Sequence, residues 1–296
     1  MASGIEVLAR HQCFSGEVRF LRHASAVTGT EMRFSVYLPP AAVEGPVPVV
    51  TYLAGLTCTE ETFMIKAGAQ RTAAELGLML VAPDTSPRGD EVPDDPDGDW
   101  DFGLGAGFYL DATEEPWSRH YRMASYVSGE LQDLVFANFP GDRSRQGLFG
   151  HSMGGHGALA LGLRHPDIWT TLSAFAPVAA PMRCPWGRKA FGHYLGPDET
   201  AWAEWDASRL VASRGWPADR REILVDQGLE DAFLAEQLYP DALASACQAA
   251  GVPLNLRRHA GYDHGYYFIS SFMESHLRHH AAGLGVAAQA GCCLLY

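Results

Sequence analysis

The chain has 296 residues, 47% hydrophobic and 19% charged, which is enough apolar material for a large core and excludes a disordered segment or a disulfide-stapled miniprotein. Its formal net charge is −13, and −10 of that falls in residues 84–115, where eleven acidic side chains face Arg88 alone. A nucleic-acid or anionic-membrane partner calls for the opposite sign. No apolar run reaches the roughly 18 residues of a membrane span, and Met1 to Gln12 lacks an apolar signal core. The six cysteines, at 13, 58, 184, 247, 292 and 293, show no CxxC spacing. The expectation is a soluble, cytoplasmic protein with free thiols and no zinc site.

In chain order, Met32 to Leu38 alternates as a strand and stops at Pro39-Pro40, while Val47 to Leu53 is the near-continuous apolar run of a strand covered on both faces. A helix is predicted over 61–76, ending before Gly77, and a strand over Leu78 to Ala82. Next come a helix at 121–138, a strand at Gly147–Phe149, a helix at 154–164 and a strand at 170–176. An irregular stretch rich in Trp and Pro separates these from a strand at Ile223–Asp226, a helix at 235–250, a strand at 253–257 and a final helix at 266–281. Such alternation predicts an α/β protein with a mostly parallel central sheet and helices on both faces. Ligands then bind beyond the carboxyl ends of the strands. No linker or repeat divides the chain, so residues 1–282 read as one domain and 283–296 as a tail without an assigned role.

Gly147 to Gly155 (GLFGHSMGG) fits G-x-S-x-G between a strand and a helix, which makes Ser152 the candidate nucleophile. Such a turn is strained, and side chains at Gly150 or Gly154 would collide with their neighbours. The helix N-terminus beyond it favours developing negative charge, and the N–H of Met153 is one oxyanion donor. A second donor belongs to the loop after Val47–Leu53, where Gly55 permits close backbone approach.

Triads on this architecture run Ser, acid, His in chain order. His151 and His156 are out of order and are expected to pack around the turn. His264, in the loop after the 253–257 strand, is the favoured base, with His259 the fallback. His276, His279 and His280 share the last helix at metal-compatible spacing, yet no carboxylate or cysteine pattern completes a site, and a solvated helix face is expected. Spacing leaves Asp226, Glu230 and Asp231 open as the acid, while Asp263 is too local to orient its neighbour. The Asp95-Pro96-Asp97-Gly98-Asp99 run imitates a calcium loop, but Trp100 and Ala106 stand where an EF-hand needs Gly and Glu; a solvated loop is expected. Gly103, Gly105 and Gly107 follow no strand and have no P-loop lysine, which argues against nucleotide binding. Trp186, Tyr266 and Phe268 are candidates for pocket walls or core.

Over about residues 11–281 the sequence resembles the S-formylglutathione hydrolases, called esterase D in animals. The likeness rests on Gly55 to Glu60 (GLTCTE), Ala82 to Gly89 (APDTSPRG), Asp101 to Trp117 (DFGLGAGFYLDATEEPW), Phe149 to Leu159 (FGHSMGGHGAL), Cys184 to Gly187 (CPWG), Asp226 to Gly228 (DQG) and Gly261 to Phe268 (GYDHGYYF). It implies an α/β-hydrolase that cleaves a small-molecule thioester to glutathione and formate through a formyl-serine, completing formaldehyde detoxification without cofactor or metal. It also implies Asp231 as the acid and the N–H of Leu56 as the second oxyanion donor. Cys58, two residues beyond Leu56, is then near the site but non-catalytic. Two departures stand out: Ala54 where the family has serine, and the extension 283–296. A short-chain carboxylesterase is the runner-up, a catalytically silent hydrolase fold used for binding comes third, and a homodimer is left open.

Overall fold

The structure is a computed structural model and describes residues 4–286. Its nine strands are β1 (Glu6–Cys13), β2 (Gly16–Ala24), β3 (Glu31–Leu38), β4 (Val47–Leu53), β5 (Met79–Pro83), β6 (Gly141–His151), β7 (Thr171–Phe175), β8 (Ile223–Gly228) and β9 (Leu254–His259). They form one sheet in the order β1-β2-β3-β5-β4-β6-β7-β8-β9. The first pairings are antiparallel, through β3 against β5; every pairing from β5 to β9 is parallel. The parallel strands β4, β5, β7 and β8 are buried at every residue, which is why their sequences run apolar rather than alternate.

Alternation along β7 shows how the sheet is covered. A Cβ on Gly162 would stand 2.2 Å from Leu172 Cδ2, so the helix Met153–Arg164 lies against that side. Thr171 and Ser173 instead hydrogen-bond His280 of the helix Tyr266–Gly283, at 2.7 and 2.9 Å. Successive strand residues face opposite ways, so these helices cover opposite faces. The predicted α/β class and its parallel core are observed. Among the described residues, no helix is long and apolar enough to cross a membrane.

Three details differ from expectation. The hairpin β1–β2 is absent from the sequence-based elements because β1 is almost wholly exposed, and its turn, Phe14-Ser15 at φ 48° and 58°, lacks the usual Asn-Gly signal. The helix expected at 61–76 is two helices, Glu60–Lys66 and Gln70–Leu76, parted at Gly68 with φ 66°. The irregular stretch before β8 contains helices Pro185–Tyr194, Glu199–Ala203 and Ala207–Arg214; Asp198 and Asp206 cap the last two. Of the predicted tail, residues 287–296 lie outside the described residues, as do Cys292 and Cys293.

Candidate active site

Ser152 joins the end of β6 to the helix Met153–Arg164 with φ 57° and ψ −119°, a conformation that costs about 1–3 kcal/mol unless its surroundings enforce it. They do. Its N–H donates to the Phe175 carbonyl at 3.0 Å, and its carbonyl accepts from His156 at 2.9 Å and Val178 at 3.2 Å. The glycines are required by close approach: a Cβ on Gly150 would lie 2.2 Å from the Gly154 oxygen, and one on Gly154 only 2.0 Å from the Leu53 oxygen. Ser152 is 3% exposed and lies at the wall of a cavity of about 140 Å³, with Gly55, Leu56, Cys58, His264 and aromatic side chains.

His264, on the loop after β9, lines the same cavity. Its Nδ1 lies 2.5 Å from Asp231 Oδ2, on the loop after β8. Asp231 also accepts from the Gln227 amide at 3.2 Å and the Phe233 N–H at 2.9 Å, so its carboxylate is held from three directions. This pairing fixes the proton on Nδ1 and leaves Nε2 as the basic nitrogen.

The loop after β4 closes the site. A Cβ on Gly55 would approach Ser152 Cβ to 3.3 Å, so the backbone leading to Leu56 runs beside Ser152. Leu56 N–H meets no acceptor among the described residues. Met153 opens its helix, where N–H groups precede the intrahelical ladder. Leu56 and Met153 thus each offer a backbone donor beside Ser152.

Residues 25–279 match the family model described as "Putative esterase". The S-formylglutathione hydrolase of Mus musculus is 49% identical over 278 residues, 94% of this chain and 98% of that one. That of Paracoccus denitrificans is 50% identical over 96% of this chain and 100% of its own. A solved S-formylglutathione hydrolase from Agrobacterium tumefaciens superposes with a TM-score of 0.92 at 48% identity, covering 95% of this chain and 100% of that one. The chain belongs to the S-formylglutathione hydrolase family.

As a member of this family the chain has an α/β-hydrolase fold, and its remaining candidates sort by geometry. Asp226 is engaged by other side chains: Arg257 grips both its oxygens at 2.6 Å, and Nε2 of both His259 and His276 lies 3.2 Å away. Although burial opposes ionisation, the hydrogen bonds from His276 and the Arg257 guanidinium hold its carboxyl well below the usual range. His259, the fallback base, stacks on Phe272 at 3.8 Å in that cluster. Glu230 and Asp263 are exposed; Asp263 accepts from the Gly265 N–H at 2.9 Å, as a turn residue.

His151 and His156 pack at the elbow as anticipated. His156 is buried with Nε2 3.1 Å from the Phe108 carbonyl, and burial pushes its pKa down to about 4. The His151 ring lies 4.4 Å from that of His264, and neither nitrogen has a partner among the described residues. Burial, reinforced by His264, keeps it neutral well below the usual imidazole range.

Two expectations are corrected. His276, His279 and His280 do not form a solvated face; all are buried. His276 Nδ1 meets Ser173 Oγ at 2.8 Å, His280 bridges Thr171 and Ser173, and His279 meets the Leu172 carbonyl at 3.2 Å. Hydroxyls on β7 hold His276 and His280, and a β7 carbonyl holds His279, so their spacing serves the sheet rather than solvent or metal.

The acidic loop, though mostly exposed, is not merely solvated. Asp95, Asp99 and Asp101 converge closely enough to suggest a metal cluster, but Lys189 Nζ stands among them at 2.7, 2.8 and 2.8 Å. This ammonium supplies the charge a cation would bring. It pins Trp100 beside Trp186, ring centroids 5.6 Å apart, where both line the cavity with Tyr266 and Phe233. Phe268 is core. Sequence reasoning missed Trp100 and Phe233; the interruption of an acidic run by one Trp was the available signal.

Proposed function

We propose that the protein is a one-domain, cytoplasmic serine thioesterase that hydrolyses S-formylglutathione to glutathione and formate. The observation that carries this is the Ser152 elbow and the His264–Asp231 pair opening on one small cavity, in a chain about half identical to S-formylglutathione hydrolases along nearly its whole length. Continuity of the sheet and of its core supports the one-domain reading.

Ser152 Oγ attacks the formyl carbon as His264 Nε2 takes its proton, and Asp231 stabilises the imidazolium. The oxyanion accepts from the N–H groups of Leu56 and Met153; one such donor typically contributes about 10²–10³ in turnover. Collapse breaks the C–S bond, and glutathione leaves as the thiol with the proton from His264, or as a thiolate with His264 releasing that proton to solvent; either way the imidazole is neutral again. Water then attacks the formyl-serine, giving one proton to His264, which returns it to Ser152 as formate departs. His151, neutral beside His264, adds no charge to oppose the imidazolium. A cavity of about 140 Å³ walled by aromatic rings suits the smallest acyl group.

The test compares kcat/KM on S-formylglutathione with that on p-nitrophenyl acetate, using Ser152→Ala as the blank. The thioester is the better substrate, and the blank is inactive but folded. Preference for the simple ester makes the enzyme a general carboxylesterase; turnover by Ser152→Ala removes the serine from the mechanism.

A further inference from the structure

The loop bearing Leu56 takes its shape from a distant part of the chain. Thr57, next to Leu56, has φ 66°, a left-handed conformation that a β-branched residue rarely adopts. It persists because its neighbours are held on several sides. Thr57 N–H donates to the Gly105 carbonyl at 2.9 Å. The Cys58 carbonyl accepts two bonds, from Thr85 Oγ at 2.5 Å and from Arg88 Nη2 at 3.2 Å. Arg88 is fixed in turn by Asp84, whose two oxygens accept from Nε at 2.7 Å and Nη2 at 3.0 Å. Asp84 also accepts the Thr85 N–H at 2.7 Å, and Gly105 N–H donates to Ser86 Oγ at 2.8 Å. The packing leaves no slack: a Cβ on Gly105 would stand 3.1 Å from Thr57 Cα and 3.6 Å from Arg88 Nη2.

We infer that Arg88 is a positioning residue for the oxyanion hole, acting through the Cys58 carbonyl to keep Thr57 left-handed and the Leu56 N–H aimed beside Ser152. Rotation about φ of Thr57 swings everything before it, including Leu56, relative to everything after it. Without Arg88 the Cys58 carbonyl keeps only its bond from Thr85, which loosens the restraint on Thr57 and lets the donor drift from its aim. An oxyanion donor works only over a narrow range, about 2.7–3.1 Å from the developing charge, so a small rotation is costly. Arg88 is outside the cavity that holds Ser152 and His264; it borders a separate cleft of about 540 Å³ with Glu31, Arg33, Glu60 and Asp84. The inference rests on the reading of Leu56 as an oxyanion donor.

That cleft gives a small planar cation access to the place of the guanidinium, which permits a test that a merely structural role would not pass. Arg88→Ala lowers kcat on both S-formylglutathione and p-nitrophenyl acetate by about 10- to 100-fold, less than outright loss of a donor, with little change in KM. Guanidinium chloride at about 50 mM, far below denaturing concentrations, restores kcat several-fold, whereas sodium chloride at the same concentration does not. A kcat within about twofold of the unmodified enzyme overturns the inference, as does a loss that guanidinium leaves untouched in a folded variant. If Arg88→Ala does not fold, Arg88→Lys carries the test: it keeps a cation for Asp84 but not the bridge to Cys58. It shows the same selective fall in kcat, and an unchanged kcat overturns the inference. Turnover by Ser152→Ala, measured alongside, would refute the serine mechanism itself and is a distinguishable failure.

Discussion

Asp231→Asn and Asp226→Asn separate the two acids that spacing alone left open. At Asp231 the oxygen facing His264 Nδ1 at 2.5 Å also receives the Gln227 amide, while the other receives the Phe233 N–H. An asparagine that keeps its oxygen toward Phe233 turns an NH₂ toward His264 and Gln227. The imidazole must then accept at Nδ1, placing its proton on Nε2, where it cannot take one from Ser152. The flipped amide keeps the tautomer but opposes its NH₂ to the Phe233 N–H, at about 1–3 kcal/mol for a buried unsatisfied donor. The wrong-tautomer penalty in serine hydrolysis is about 10⁴ in kcat, or roughly 5.4 kcal/mol at 1.36 kcal/mol per decade. Asp226→Asn instead strips Arg257 of its counter-ion and weakens the contact with His276. Breaking a buried pair costs about 3–5 kcal/mol; the lower end applies here because the Arg257 side chain is 31% exposed. Asp226→Asn therefore lowers the melting temperature while kcat per folded molecule stays within about tenfold of the parent. The assay pairs active-site titration with steady-state kinetics and thermal unfolding. A folded Asp231→Asn within tenfold of the unmodified enzyme, or an inactive Asp226→Asn with an unchanged melting temperature, refutes the assignment.

Glu60 is buried, and desolvation together with Asp84 raises its carboxyl from 4.5 to about 7. Between those pH values the native state keeps a proton that the unfolded chain has lost, so this residue's contribution to stability falls as pH rises through the window. Glu60→Gln removes that slope, and its melting temperature relative to the parent climbs between pH 5 and 8; parallel curves would contradict this. Cys58 lines the cavity, and burial pushes its thiol up despite opposing contacts from Thr62 and Tyr266. Alkylation by a bulky maleimide is therefore slow at neutral pH but inhibits, whereas Cys58→Ser keeps most turnover and resists the reagent; an inactive Cys58→Ser would make the thiol catalytic. Gly154→Ala forces a methyl to within 2.0 Å of a backbone oxygen. At an overpacking cost of about 3 kcal/mol and 2–4 °C per kcal/mol, its melting temperature drops by at least ~6 °C, and an unchanged melting curve would show that the elbow has slack.

What the sequence made legible follows from the range over which each signal acts. Strands β4, β5 and β8 were readable because burial on both faces writes a continuous apolar run, and the elbow because glycines sit where any Cβ would strike backbone. The hairpin β1–β2 was not, since an exposed edge strand carries little apolar pattern and the backbone alone supplies the left-handed turn at Phe14-Ser15. The helices before β8 were hidden by shortness: five to ten residues give too few turns for periodicity, and caps such as Asp206 are visible only once the turn is known. The choice between Asp231 and Asp226 was open for a related reason. Asp226 lies on β8 and Asp231 just beyond it, and it takes the positions of Arg257 on β9 and His276 on the last helix to show that Asp226 is already engaged.

Polar residues resist sequence reading more than apolar ones because their meaning depends on a partner far along the chain. His276 and His280 lie 103 and 107 residues from Ser173, and the same three histidines on a helix facing water would have warranted the opposite conclusion. Lys189 lies 88 residues from Asp101, so an acidic run that reads as a free anionic surface becomes a folded loop around one ammonium. In both cases the long-range contact shapes the site. The histidines tie the helix that follows the His264 loop to β7, beside the strand that carries Ser152; Lys189 sets Trp100 at the cavity wall. A local motif can therefore nominate a nucleophile, because the glycines that the strained turn demands are close together in the chain even where the backbone they avoid is not. The order in which base, acid and pocket wall assemble around it belongs to the sheet, whose parallel strands bring the loops after β4, β6, β8 and β9 to one edge.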